Sequence, residues 1–334
     1  MSSRPVRRLT ASLTAFALLA GCATGRNERI GADDGSDACR PQLVALDSTG
    51  NYYAEDIIRG AAIGAVSGGV LGGLIGAAAT GRTRDIAIGA GAGVLAGGAV
   101  GAAGGYLAAR QRQAQDQASL SAAVGGDLAS ENAQLDRTQL AFNQLVDCRL
   151  MAAETIRQDV RSGRLAPEAG RAQMAALRGR MQQDIAIARR INDRIGTRGA
   201  EFDTAIDAVA PGTRQDVAAR QPAPAPARTR APVPLRIRPE PSAPQIDQVA
   251  ANEPVTVRPV QGNYALVETS SGIRGYAPAS SFPGRRPAAV PAPTGGDGSV
   301  RELAASNIAK RDNFSESVTN AERVAGGQGF ELAS

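Results

Sequence analysis

The 334-residue chain has no histidine and no tryptophan, its aromatic residues amount to 3%, and Lys310 is its single lysine. Without imidazole there is no Ser-His-Asp or Cys-His catalysis, no histidine metal site and no histidine pH switch. Glycine, at 39 residues, is well above its usual share of about 7%, which argues against one large core and for a modular chain. The arginines are dispersed along the sequence, which is not the dense basic stripe of a nucleic-acid footprint, so no nucleic-acid partner is expected. Paired acids are missing too: Asp247, Glu253 and Glu268 are scattered, so a two-carboxylate hydrolase is not indicated. No catalytic residue, metal or cofactor is assigned, and the chain is not read as an enzyme.

The amino terminus carries the strongest signal. Arg4, Arg7 and Arg8 precede an apolar run from Leu9 to Ala20, and Leu19-Ala20-Gly21-Cys22 follows at its end. That run is too short to cross a bilayer, which takes about 20 apolar residues, but it suits a cleaved secretory signal. With its small residues before Cys22, the segment closely resembles bacterial lipoprotein signals. The resemblance implies removal of residues 1–21, acylation of Cys22 through its sulfur and palmitate-type chains on the new terminus. Losing three arginines takes the formal charge from +5 to +2. In such lipoproteins a residue other than Asp at the next position, here Ala23, implies the periplasmic face of the outer membrane, with the inner membrane as the alternative. Cys39 and Cys148 then remain as an even pair in an oxidising compartment, for which a disulfide is the default.

Beyond the lipidated segment 22–59, glycine recurs at every fourth position: Gly60, Gly64, Gly68, Gly72 and Gly76, then, after a polar break, Gly89, Gly93, Gly97, Gly101 and Gly105. On a helix this spacing forms a groove without side chains in which a second backbone packs closely. Both runs lack charge and are flanked by Arg59, Arg82, Arg84, Arg110 and Arg112, so residues 60–109 read as a membrane hairpin with snorkelling arginines at its ends. A flexible linker would need no such register. Together with Cys22, this stretch resembles the glycine-zipper two-helix, SlyB-like outer-membrane lipoproteins, which implies membrane lipid and homo-oligomers as partners.

Residues 110–210 are expected to form a periplasmic helical hairpin or stalk. Leu128, Leu135, Phe142, Leu145, Ala152 and Ile156 make one stripe, and Met174, Leu177, Met181, Ala188, Ile191 and Ile195 make another, both at coiled-coil spacing. Ser162-Gly163 is placed as the stop, Pro167-Glu168 as the restart, and Gly125-Gly126 as an interruption of the first helix. The Pro-rich stretch 211–231 reads as an extended linker.

From 232 to 283, alternating runs separated by Gly, Asn, Ser and Pro predict a small β domain. Gly262-Asn263-Tyr264, Gly275-Tyr276 and Phe282 resemble the bacterial Src-homology-3-like (SH3b) module, which implies a β-barrel with Tyr264, Arg274 and Tyr276 as candidate ligand contacts. Here Tyr stands where that family usually has Trp. Residues 284–334 are expected to be a Pro/Gly-rich linker and a mostly disordered tail, although Ser299 to Glu302 match a capping box.

The expected fold is thus multidomain α plus small all-β: zipper hairpin, helical stalk, SH3b-like barrel and disordered linkers. The expected function is that of a self-associating envelope lipoprotein presenting its β module to peptidoglycan or a periplasmic protein, a structural role in envelope integrity. The alternative is a pore or secretion-system accessory lipoprotein formed by zipper oligomers; only Ser67 and Thr80 interrupt the spans, which leaves no evident polar lumen stripe.

Overall fold

The computed structural model describes residues 25–53, 105–221, 223–259, 263–282 and 299–332. Cys22 and the glycines from Gly60 to Gly101 lie outside the described residues. The helices are α1 (25–30), α2 (40–53), α3 (105–113), α4 (Gln117–Arg161), α5 (Pro167–Val209), α6 (Thr213–Arg220) and α7 (Val300–Gly326). The strands are β1 (Ala225–Arg228), β2 (Val233–Arg236), β3 (Gln245–Val249), β4 (Pro254–Pro259), β5 (Tyr264–Thr269) and β6 (Arg274–Pro278).

Local chemistry sets the long hairpin. Asp116 caps α4 by accepting from the Ser119 amide at 2.7 Å while Ser119 Oγ accepts from the Asp116 amide at 3.1 Å, a reciprocal capping box. The helix stops at Ser162, where Gly163 adopts φ 72°, a left-handed conformation that glycine takes without a Cβ clash. Pro167 then opens α5 with Glu168 in its first turn, as the missing N–H and the helix dipole favour. So short a connection turns α5 back along α4. Gly125-Gly126 does not interrupt α4. The break expected there falls at 114–116 instead, and Gly125 lies against the start of α7, where a Cβ would be 3.4 Å from Val300.

Residues 283–298 lie outside the described residues. α7 stands in the second part of the span 284–334 expected as a linker and mostly disordered tail. It runs parallel to α4, with Asn307 donating to Asn132 at 3.1 Å and Gln139 to Ser317 at 3.0 Å, and it packs on both long helices. Ala304, Asn307, Phe314, Val318, Ala321 and Ala325 are buried, at steps of three, four and seven that make a coiled-coil stripe. Small and polar residues fill much of that stripe, so its apolar signal is weak, yet Phe314 is fully buried against Phe142 with rings 5.8 Å apart at 66°. The three-helix core also contains ion pairs. Arg149 and Asp184 meet at 2.7 Å with 1% and 2% of their side chains exposed, and Arg198 meets Glu131 at 2.8 Å. Such polar pairs inside an apolar seam fix which turns face each other.

The amino-terminal segment is clamped to this bundle. Cys39 and Cys148 form a disulfide with Cα atoms 5.9 Å apart, closing a separation of 109 residues. α2 runs antiparallel to α4 from that bond, with Tyr52 reaching Glu131 and Tyr53 reaching Thr138. Asp37 adds a second tie, its carboxylate receiving Arg149 at 2.5 and 2.8 Å.

The β domain is an open antiparallel sheet of order β1-β4-β5-β6-β2-β3, which corrects the expected barrel. Closure would require β1 to pair with β3, but these are the two edges. β2 meets β6 only at Arg236 and Tyr276, next to a bulge between Leu235 and Arg236, and a bulge bends a strand out of the ladder. The span 211–231, expected as a linker, supplies α6 and the edge strand β1. Pro226 is tolerated there because an edge strand has one row of amides without a partner strand. Gly275 is required by close approach: a Cβ there would lie 2.9 Å from Leu235 Cβ and 3.2 Å from Arg236 O. One face of the sheet buries Val233, Leu235, Val257, Val267 and Phe282 in its own core, and the other turns toward α7.

Candidate functional site

Three features bear on function. The first is the place where the chain leaves for the zipper and returns. α2 is described as far as residue 53, with Tyr52 donating to Glu131 at 3.1 Å. α3 is described from Gly105, and Tyr106 donates to Asp127 at 2.5 Å while Arg110 grips the same carboxylate at 2.7 Å. The two points are joined by a ladder of rings. The Arg198 guanidinium lies 5.1 Å from the Tyr52 centroid and 5.3 Å from that of Phe202, and Phe202 lies 5.0 Å from Tyr106. Stacked cation–ring contacts of this kind contribute about 0.5–2 kcal/mol each. α1 joins the same region: Arg29 binds Asp47 through two hydrogen bonds of 2.8 and 2.9 Å, less than two helical turns before Tyr52. Gly25, the first described residue, is three residues from Cys22, which is at most about 11 Å of chain. Tyr106 and Leu107 pack on the cluster of Leu120, Val124 and Phe202, so 105–109, expected in the membrane hairpin, are part of the folded body. No helix among the described residues is long and apolar enough to cross a membrane.

The second feature is the trio Tyr264, Arg274 and Tyr276. Strand alternation puts Tyr276 on the α7 face, where it is 9% exposed, and burial, with Glu316 nearby, pushes its phenol up to about 12. Arg274 is held by Glu268 and Glu316, each at 2.7 Å, while Arg258 also binds Glu316 at 2.8 Å. Hydrogen bonding from Arg274 keeps Glu268 below the usual carboxylate range. Tyr264 is half-buried at the start of β5. Arg274 and Tyr276 thus form the seam between sheet and helix, whereas an isolated barrel would have left them free for a ligand.

The third feature went unnoticed in the sequence. An open groove of about 950 Å³ lies between the outer edge of β3, one face of α4 and the carboxy-terminal residues 329–332. Asp147, Met151 and Glu154 form the α4 wall, and Ile246, Asp247 and Gln248 form the strand wall. Met151 is 60% exposed, one of two large apolar side chains so exposed among the described residues. Arg157 donates to the carbonyls of Gly329 and Glu331 at 2.7 and 2.9 Å, which holds the third wall in place. The i, i+4, i+7 spacing of Asp147, Met151 and Glu154 was visible, but nothing local says that a strand edge lies opposite. No group of three or more His, Cys, Asp or Glu among the described residues is placed to hold a metal, and none of the three places pairs a nucleophile with a base.

No protein-family model, curated protein or solved structure matches the chain.

Proposed function

We propose that the chain is a bacterial envelope lipoprotein, acylated at Cys22 on the periplasmic face of the outer membrane. In this reading residues 60–104 enter the bilayer as a glycine-zipper hairpin that self-associates. The helical body and its sheet are held at the surface for a structural, presenting role toward peptidoglycan or a periplasmic protein. The resemblances to lipoprotein signals, to zipper lipoproteins and to SH3b modules supply its parts.

The supporting observation is the convergence of the attachment points. Tyr52 and Tyr106, at the two ends of the zipper segment, share the Arg198–Phe202 ladder, and Arg29 holds the stretch that follows Cys22 against α2. A segment that begins and ends at one place on one body crosses a membrane an even number of times. Acyl chains next to that place add a second anchor, and two weak anchors together hold far better than one.

The test has two arms. Mass spectrometry of the mature amino terminus is expected to find Cys22 at the terminus with a diacylglyceryl thioether, and Cys22→Ser to leave residues 1–21 attached. Replacing Gly68 and Gly97 together by Leu raises hydrophobicity but fills the groove, so the protein should stay in the membrane while its cross-linked oligomers disappear. An unmodified Cys22 would refute the anchoring, and unchanged oligomers would refute the zipper.

A further inference from the structure

We propose that the β3–α4 groove takes an extended cationic peptide, added as a seventh strand along β3. The sheet has two edges. β1 carries Pro226 and Arg228, residues that blunt an edge against pairing. β3 reads Gln-Ile-Asp-Gln-Val, without proline or a basic residue, and its outer side opens on the groove.

The backbone is set for addition. Gln248 stands opposite Pro234, which has no N–H and so cannot exchange a pair of ladder bonds. Alternation along an antiparallel ladder then turns the Gln248 N–H and C=O to the outer edge. Five residues of β3 extend about 17 Å, the length that a peptide of five or six residues would pair with. Backbone bonds to an edge strand supply affinity, and pockets for alternate side chains supply selectivity. Met151 and Ile246 provide an apolar contact.

Charge selects the occupant. Asp147 is met by Arg238, Glu154 by Arg157 and Arg161, and Glu331 by Arg178. Arg157 is further committed to the carbonyls of Gly329 and Glu331. Asp247 has no ion-pair partner among the described residues and lies in the strand wall itself. A lysine or arginine on the incoming strand would complete it, and an acidic residue in the same place would set a like charge beside Asp247.

Peptide capture here deepens the presenting half of the proposed function and rests on it; anchoring is read separately by the mass of the amino terminus. The full-length protein in detergent is titrated into a fluorescein-labelled octapeptide of alternating valine and lysine, and into the valine–glutamate counterpart, with polarisation as readout. The wild type should bind the lysine peptide at least about tenfold more tightly, and Asp247→Lys should reverse that preference. Gln248→Pro, which removes an outward N–H, should weaken both peptides about tenfold or more. The lysine peptide with its backbone amides methylated should fail on the wild type, a result that does not depend on how any variant folds. Equal binding of both peptides by the wild type, no response to Asp247→Lys, or full binding of the methylated peptide would overturn the proposal. So would no binding at all, or an edge already occupied by a second copy, seen as a dimer that Gln248→Pro dissolves and peptide does not.

Discussion

Replacing Phe314 with alanine tests whether residues beyond 284 belong to the folded body. The side chain is fully buried, in one cluster with Leu135, Phe142, Leu145 and Val318. Removing it forfeits about 2–3 kcal/mol of transfer free energy and an edge-to-face pair with Phe142 worth about 0.5–1.5 kcal/mol. A cavity adds to this, so the expected cost is about 3–5 kcal/mol. Against a typical stability of about 5–15 kcal/mol the loss is large and measurable by urea unfolding, followed by circular dichroism on the helices in detergent. Leu140→Ala, at 58% exposure on α4, is the matched control and should stay within about 0.5 kcal/mol. A double-mutant cycle with Phe142→Ala should return a coupling of about 0.5–1.5 kcal/mol. If Phe314→Ala costs less than about 1 kcal/mol while Phe142→Ala costs several, α7 is not the third helix of the core.

Two further outcomes follow from the ion pairs. Asp184→Ala should cost about 3–5 kcal/mol, because it strips a partner from Arg149, which is 1% exposed; burial already lifts Asp184 above its ordinary range against the hydrogen bonds from Arg149. The same urea titration checks it, and a loss below about 1 kcal/mol would mean that Asp37 alone satisfies the guanidinium. Glu268, held low by Arg274, stabilises the sheet–helix seam above the unfolded carboxylate pKa of about 4.3 and loses that contribution as pH falls through its folded value. Glu268→Gln should therefore melt below the wild type at neutral pH, and the gap should close in acid. A gap that persists at low pH would show that charge is not the cause.

The pattern of local residues was enough to place α4 and α5. Apolar side chains at heptad spacing, Gly163 and Pro167 all act within a few residues of themselves, so periodicity and turn chemistry reveal them without a partner, whereas the start of α4 at the Asp116–Ser119 cap was not among the expectations. Of the three cysteines, the two left once Cys22 is set aside for the expected lipidation likewise pointed to the bond between Cys39 and Cys148. What no local pattern contains is the surface an element will meet. The stripe of α7 is largely alanine and asparagine, which signal little in themselves and become core only because α4 and α5 offer a matching seam around Phe314. Tyr276 alternates correctly as a strand residue, but whether its face meets water or Glu316 depends on that same docking. Whether six strands close or stay open is decided by pairing between residues far apart in the chain, and the bulge at Leu235 with the single β2–β6 contact leaves β3 as an edge. The groove beside Asp247 exists only because tertiary packing brings that edge against a helix almost one hundred residues earlier in the sequence.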